Sequence, residues 1–137
     1  MKGLTERGDT TGILGLDGEF LESFLMMAAI PYGFFGIDAI DESVLKIEPS
    51  LPSKLTHWGI ENLAFKGVKY DLTMFKNSVR IDAVRGNASG LNVQVVLKTN
   101  KTNPNVYVNG KKVSNYTVKD GKVCVTVPLQ SCSVEIQ

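Results

Sequence analysis

The chain has very few of the residues from which metal centres are built. It contains one histidine, His57, and two cysteines, Cys124 and Cys132. No second histidine and no close cysteine pair stands at metal-ligand spacing, which argues against the common zinc motifs. No phosphate-binding or dinucleotide-binding glycine motif occurs either. We therefore expect no metal and no cofactor, and we expect His57, beside Trp58 in a strand-like run, to be a structural residue.

The two cysteines are expected to stay unpaired. Seven residues separate them on what the pattern predicts to be the last two strands. If those strands form a hairpin around residues 128–131, Cys124 faces about Glu135 rather than Cys132, so a disulfide is not favoured. Free cysteines are often buried, and two buried thiols are the expectation.

Blocks of like charge and long apolar runs are also missing. The net charge is +1, and the longest basic cluster is Lys111-Lys112. A nucleic-acid-binding surface needs a basic patch, so we expect no nucleic-acid partner. The longest strongly apolar run, residues 24–30, is far shorter than a membrane span of about 20 residues, so we expect no membrane partner. Residues 1–12 lack the apolar core of a signal peptide, which leaves a cytoplasmic protein or a piece of a longer chain as alternatives.

The spacing of apolar residues changes near the middle of the chain. Asp17 can cap a helix over residues 17–30, in which the apolar positions define one broad face, and Pro31 and Gly33 are expected to end it. From Val44 onward the apolar residues alternate as in strands. The predicted fold is mainly β, an antiparallel β-sandwich with an N-terminal α-helical segment.

A series of short strands is predicted, separated by turn residues at regular intervals. Asn109-Gly110 and Asp120-Gly121 are the strongest hairpin signals, because both residues of each pair tolerate positive φ. Lys66-Gly67 and Lys76-Asn77 are read as further turns. The main predicted strands cover residues 44–47, 55–60, 62–65, 68–75, 78–84, 91–97, 106–108, 111–113, 116–118, 123–127 and 133–136.

No arrangement of side chains indicates catalysis, so no catalytic residue is assigned. The carboxylates near the helix-to-strand junction, Asp38, Asp41, Glu42 and Glu48, are the residue type that glycoside hydrolysis needs, but turns, caps and solvated faces account for them. Trp58 and Tyr107 are the candidates for stacking on a sugar ring, although a large aromatic such as Trp58 can instead fill the core. Three glycosylation sequons begin at Asn87, Asn100 and Asn115, and they matter only in a host that glycosylates secreted proteins.

Three motifs carry a family resemblance. Gly33-Phe34-Phe35-Gly36 follows the predicted helix, and a short strand then leads to the corner Pro49-Ser50-Leu51-Pro52. The third motif, residues 63–72, reads L-A-F-K-G-V-K-Y-D-L. Together they resemble the C-terminal region of glycosidases and sugar phosphorylases built on an (α/α)6 barrel, such as glycoside hydrolase family 65 and the rhamnosidase-like and debranching-type enzymes.

The resemblance implies a division of the chain into two parts. Residues 1–40 would be the last helical segment of a catalytic (α/α)6 barrel, and residues 41–137 its C-terminal β-sandwich domain. The barrel of the parent chain would then be the partner, and most of the active site would lie outside this chain.

Several functions follow from these expectations. The first is a non-catalytic domain that supports the barrel of a glycosidase. The alternatives are a carbohydrate-binding module that uses Trp58 or Tyr107, and an adhesion or interaction domain that offers an unpaired edge strand. An exposed Trp58 would favour the binding module. An exposed apolar face on the helix 17–30 would also predict self-association.

Overall fold

The structure is a computed structural model that describes residues 29–137. The chain divides between Gly33 and Phe34 into two units, and the second unit, Phe34–Gln137, holds both β-sheets. Most of the predicted helix 17–30, including its cap Asp17, lies outside the described residues. No helix within residues 29–137 is long and apolar enough to cross a membrane.

The end of the predicted helix differs from the expectation. Ala29–Phe34 form a π-helical segment that contains both Pro31 and Gly33, so the prediction that these residues end helical structure is wrong. In a π-helix each N–H bonds to the carbonyl five residues earlier. Pro31 is tolerated because it lies in the first turn of the segment, where a missing N–H removes no bond formed within it.

In the described part of the chain, residues 29–137, eleven strands form two sheets. The first sheet has the strand order β1-β2-β6-β10-β9, and the second has the order β3-β4-β5-β11-β7-β8. We call them sheet A and sheet B. The strands are β1 (Ile37–Ala39), β2 (Val44–Ile47), β3 (His57–Phe65), β4 (Val68–Phe75), β5 (Ser78–Arg85), β6 (Asn92–Lys98), β7 (Val106–Val108), β8 (Lys111–Val113), β9 (Thr117–Lys119), β10 (Lys122–Pro128) and β11 (Cys132–Ile136).

The prediction of a mainly β fold is confirmed, but the sheets are not wholly antiparallel. β2 lies parallel to β6, with Leu45 opposite Val93 and Ile47 opposite Val95. Parallel neighbours need a long crossover connection. Here the crossover is the β3-β4-β5 meander of sheet B, which lies between β2 and β6 in the chain.

Each sheet buries one face, as the alternation of apolar residues predicts. In β4 the buried residues are Val68, Tyr70, Leu72 and Met74, and the residues between them are more exposed. Sheet A shows the same alternation in β10. Within residues 29–137 no charged, amide or aliphatic hydroxyl side chain is buried, and the core of the two-sheet unit is apolar apart from the Tyr70 hydroxyl and the Cys132 thiol.

The hairpin turns follow the predicted chemistry. Asn109 and Gly110 have φ of 51° and 73° between β7 and β8, and Asp120 and Gly121 have φ of 51° and 70° between β9 and β10. Positive φ at both central residues is what a two-residue hairpin with the right-handed strand twist requires. Both predicted hairpins are confirmed.

Three local predictions are wrong. The two strands predicted within residues 55–65 are one strand, His57–Phe65, because β3 continues past an irregularity between Ile60 and Leu63. A further strand, β1, pairs with β2 before the first predicted strand. The last two strands do not form a hairpin, since β10 belongs to sheet A and β11 to sheet B. Both cysteines are free, as expected, but only Cys132 is buried and Cys124 is half-buried.

Candidate functional site

Trp58 lies in β3, at the edge of sheet B, within an aromatic cluster. It lies opposite Met74 of the neighbouring strand β4. Met74 is fully buried, so Trp58 points to the buried face of the sheet. Its ring packs against Phe34 at a centroid distance of 5.0 Å and against Phe35 at 5.8 Å, both in tilted geometry. The indole is half-buried and makes the contacts expected of a residue that helps close the core.

Tyr107 lies on the opposite face of the same sheet. It pairs with Glu135 of β11 and with Lys112 of β8, and both of these residues are exposed. Three strands, β4, β5 and β11, separate β7 from β3 in the sheet. Trp58 and Tyr107 are therefore not brought together, and they cannot stack on one sugar ring.

His57 is exposed on the outer face of sheet B. Its Nδ1 lies 3.1 Å from Thr56 Oγ1, and its ring stacks near Phe75 at 5.9 Å with an interplanar angle of 31°. Within residues 29–137 no three side chains of the types that ligate metals are arranged so that they could hold a metal ion. The contacts with Thr56 and Phe75 account for the orientation of the His57 ring.

A polar hollow of about 710 Å³ lies on the outer face of sheet B. It forms where Gly59 faces Thr73 across the β3–β4 pair, because the missing side chain leaves space above the backbone. Three carboxylates line it, those of Glu61, Asp71 and Asp82. The hollow was not predicted from the sequence, since its lining comes from three strands whose register depends on two irregularities.

These irregularities lie on both sides of β4. Opposite Asp71, β3 contributes both Glu61 and Asn62, and opposite Tyr70, β5 contributes both Ala83 and Val84. Such two-against-one pairing is a β-bulge. Asn62 and Ala83 adopt positive φ, of 58° and 50°. The bulges turn the outer-face side chains of β3 and β5 towards Asp71.

Two of the carboxylates that line the hollow, those of Asp71 and Asp82, are engaged with neighbouring groups. Asp71 Oδ1 accepts a hydrogen bond of 2.9 Å from the Asn62 N–H and lies 3.5 Å from the Arg85 guanidinium. Asp82 Oδ2 lies 2.5 Å from Arg80 Nε. A glycosidase pair needs one carboxylic acid held protonated by an apolar site. Here Asp71 and Asp82 lie beside arginines in a polar hollow, so the apolar surroundings that such an acid needs are not found at this place.

Carboxylates at the start of sheet A have structural roles. Asp41 Oδ1 accepts hydrogen bonds from the N–H groups of Ser43 and Val44, and the bond from Ser43 is the main cause of the lowered pKa of Asp41. Glu48 bridges Lys122 at 2.6 Å and Lys46 at 3.0 Å. Its pKa is lowered, mainly by the hydrogen bond from Lys122. Asp41 therefore fixes the β1–β2 turn, and Glu48 ties β2 to β10.

Burial affects two other ionisable groups. It raises the pKa of the Tyr70 hydroxyl, and together with the nearby charge of Asp82 it raises the pKa of the Cys132 thiol to about 11. Both groups stay protonated at neutral pH. Since the thiolate is the reactive form of cysteine, Cys132 is not an activated nucleophile.

The comparisons with known proteins show a likeness of fold. No protein-family model matches the chain, and no curated protein matches it. Among solved structures, the α-L-rhamnosidase from Dictyoglumus thermophilum matches 80% of this chain with a TM-score of 0.59 and 13% sequence identity. The match spans 13% of the length of that chain. A likeness at this identity shows a shared fold.

Proposed function

We propose that this chain is a non-catalytic β-sandwich domain of a glycosidase, which stabilises a catalytic (α/α)6 barrel. The likeness to the α-L-rhamnosidase carries the proposal, because 80% of this chain corresponds to only 13% of that enzyme. A match of this size is what an accessory domain of a larger glycosidase would give. The motifs shared with barrel glycosidases, from Gly33 to Leu72, support the same conclusion.

The proposal places the last helical segment of the barrel in the N-terminal part of the chain and the sandwich after it. The resemblance to barrel enzymes puts the boundary near residue 40. We propose a slightly earlier start for the sandwich, at Phe34, because β1 (Ile37–Ala39) pairs with β2 and the Phe34 carbonyl accepts a hydrogen bond of 2.7 Å from the Ser50 N–H.

A non-catalytic role is supported by the chemistry of the described residues. The Asp71 and Asp82 carboxylates on sheet B are paired with arginines, and Glu48 on sheet A is paired with two lysines. Within residues 29–137 no carboxylate is buried, whereas a glycosidase acid is kept protonated by an apolar site. The acid and the base would come from the barrel.

One experiment tests both parts of this proposal. The purified chain is assayed on aryl α-L-rhamnosides and other aryl glycosides, and an antibody against it is used to isolate the native polypeptide from the source cells. We expect no hydrolysis by the purified chain, and glycosidase activity in a native polypeptide much larger than 14.9 kDa. Hydrolysis by the purified chain, or a native polypeptide of about this size without glycosidase activity, would overturn the proposal.

A further inference from the structure

Two adjoining clefts lie at one end of the two-sheet unit and share Lys76 and Lys98. The first, which we call the apolar cleft, has a volume of about 330 Å³ and lies against the Pro49–Leu55 corner. The second, which we call the polar cleft, has a volume of about 410 Å³ and continues to Lys101. Volumes of this size fall in the range of small-ligand sites.

Both sheets contribute to the clefts. Lys76 and Asn77 form the turn between β4 and β5 of sheet B, whereas Lys98 ends β6 of sheet A and Thr99 follows it. The loops are held by the backbone. The Asn77 carbonyl accepts a hydrogen bond of 3.0 Å from the Ile136 N–H, and the Thr99 N–H donates one of 2.8 Å to Gly121. The walls of the clefts are therefore fixed before any ligand arrives.

The charged side chains at the clefts are of one sign. Lys76, Lys98 and Lys101 line them, and no aspartate or glutamate does. In the part of the chain that the structure describes, these three lysines form no ion pair; the nearby carboxylate of Glu48 is bound to Lys46 and Lys122 instead. Like charges that face one concave surface attract an anion and raise its local concentration.

The other lining groups indicate the kind of anion. Asn77, Thr99 and Asn100 line the polar cleft with amides and a hydroxyl, which can both donate and accept hydrogen bonds, as sugar hydroxyls do. Leu55 and Phe75 in the apolar cleft are 44% and 36% exposed. They offer an apolar surface for the C–H face of a sugar ring. We propose that the two clefts bind an oligosaccharide that carries carboxylates, such as one built from uronic acids.

An acidic peptide fits these clefts less well. Peptides gain affinity by adding a strand to a free sheet edge or by burying an apolar anchor. At the polar cleft the Asn77 carbonyl and the Thr99 N–H are already bonded within the chain, so the backbone there offers little for strand addition. A sugar acid needs only side-chain donors and a charge, which the clefts supply. The inference uses residues of the two sheets alone and does not rest on the proposed function.

The test is a calorimetric titration of the full chain with a trisaccharide of galacturonic acid. The matched neutral ligand is the same trisaccharide with its carboxylates reduced to hydroxymethyl groups. We expect the acid to bind and the neutral form to bind at least several-fold more weakly. Added salt should weaken binding of the acid, because exposed charges are screened within about 10 Å at 0.1 M salt.

Variants locate the site. In K76Q/K98Q/K101Q the affinity should fall about tenfold, as expected if each exposed ion pair contributes a factor of two to three. K76R/K98R/K101R should retain binding, and K69Q/K111Q/K112Q, which removes three exposed lysines elsewhere, should bind as the unchanged chain does. Equal losses in the two glutamine variants, equal binding of the neutral trisaccharide, or binding of a hexaglutamate peptide but not of the sugar acid would overturn the inference.

Discussion

Gly36 occupies a backbone position that no other residue can adopt without moving β2. Its φ is +57°, and a Cβ built on it would overlap the carbonyl oxygen of Glu48. The two residues lie close because the Glu48 N–H donates a hydrogen bond of 3.1 Å to the Gly36 carbonyl and so extends the β1–β2 pairing. The close approach of two backbone segments thus requires a glycine at position 36, the second glycine of the Gly-Phe-Phe-Gly motif.

Replacing Gly36 with alanine should destabilise the protein strongly. We expect a loss of about 2–4 kcal/mol in the free energy of unfolding, from the left-handed conformation and from the disrupted bond to Glu48. Gly90→Ala is the matched control, because Gly90 also has positive φ, +77°, but its added Cβ would meet nothing within 4 Å. Urea denaturation of both variants measures the difference. Equal losses would show that the close approach to Glu48 is unimportant.

Glu48 links stability to pH. Its pKa is lowered in the folded chain, mainly by the hydrogen bond from Lys122. A lowered pKa means that the folded state favours the charged form more than the unfolded chain does. The stabilisation is therefore fully present above the ordinary glutamate pKa of about 4.3 and is lost as the pH falls through the lowered value.

Glu48→Gln should remove this contribution. At pH 7 the variant should be less stable by at most about 1 kcal/mol, the usual value for a partly exposed ion pair, and the difference should shrink as the pH falls below the ordinary glutamate pKa of about 4.3. Denaturation curves from pH 7 to pH 3 measure it. Glu42→Gln serves as the control, since Glu42 is exposed and forms no ion pair with the described residues. A difference between Glu48→Gln and the unchanged chain that is constant with pH would contradict the assigned role of the carboxylate.

One hydrogen bond joins two of the segments that connect sheet A with sheet B. The Tyr116 hydroxyl, in the β8–β9 connection, donates a bond of 2.8 Å to the carbonyl of Pro104, in the β6–β7 connection. Pro104 itself is buried. The bond therefore fixes two segments that pass from one sheet to the other at the same place.

Tyr116→Phe should cost about 1 kcal/mol, because the Pro104 carbonyl loses its donor while the ring is kept. For a domain of this size, that corresponds to a fall in Tm of roughly 4–8 °C. Tyr107→Phe is the control, since no hydrogen bond of the Tyr107 hydroxyl is found within residues 29–137. Thermal unfolding followed by circular dichroism compares the two. If both variants lose the same stability, the bond to Pro104 contributes nothing.

The elements that the sequence predicts best are those whose signals are local. The strand Val68–Phe75 and the hairpin around Asn109-Gly110 are found at the predicted residues, because alternation and turn chemistry are properties of neighbouring positions. The parallel pairing of β2 with β6 has no local signal. The sequence predicts a break at Glu61 between two strands, because the polar residues Glu61 and Asn62 of the bulge interrupt the alternation in the same way as a turn.

The candidate site was less predictable than the fold, because it depends on contacts between distant parts of the chain rather than on local signals. Trp58 and Tyr107 lie on opposite faces of sheet B. The face on which each side chain lies depends on strand order and register rather than on residue type. The hollow around Gly59 and the clefts at Lys76 and Lys98 each combine residues from distant parts of the chain. A single sequence without strand order cannot bring them together.

At the scale of the whole molecule, the question is what covers the apolar face predicted for residues 17–30. If this helix belongs to a barrel, the chain by itself leaves the face exposed, and association is the usual way to bury it. We therefore expect the full chain to sediment as an oligomer, and a chain that begins at Phe34, which retains both sheets, to sediment as a folded monomer. A matched variant of the full chain, with Phe20, Phe24 and Met27 replaced by serine, should also be monomeric. If the shorter chain also forms oligomers, the sheets rather than the helix cause the association. If the shorter chain does not fold, the two-sheet unit needs the helix as part of its own core.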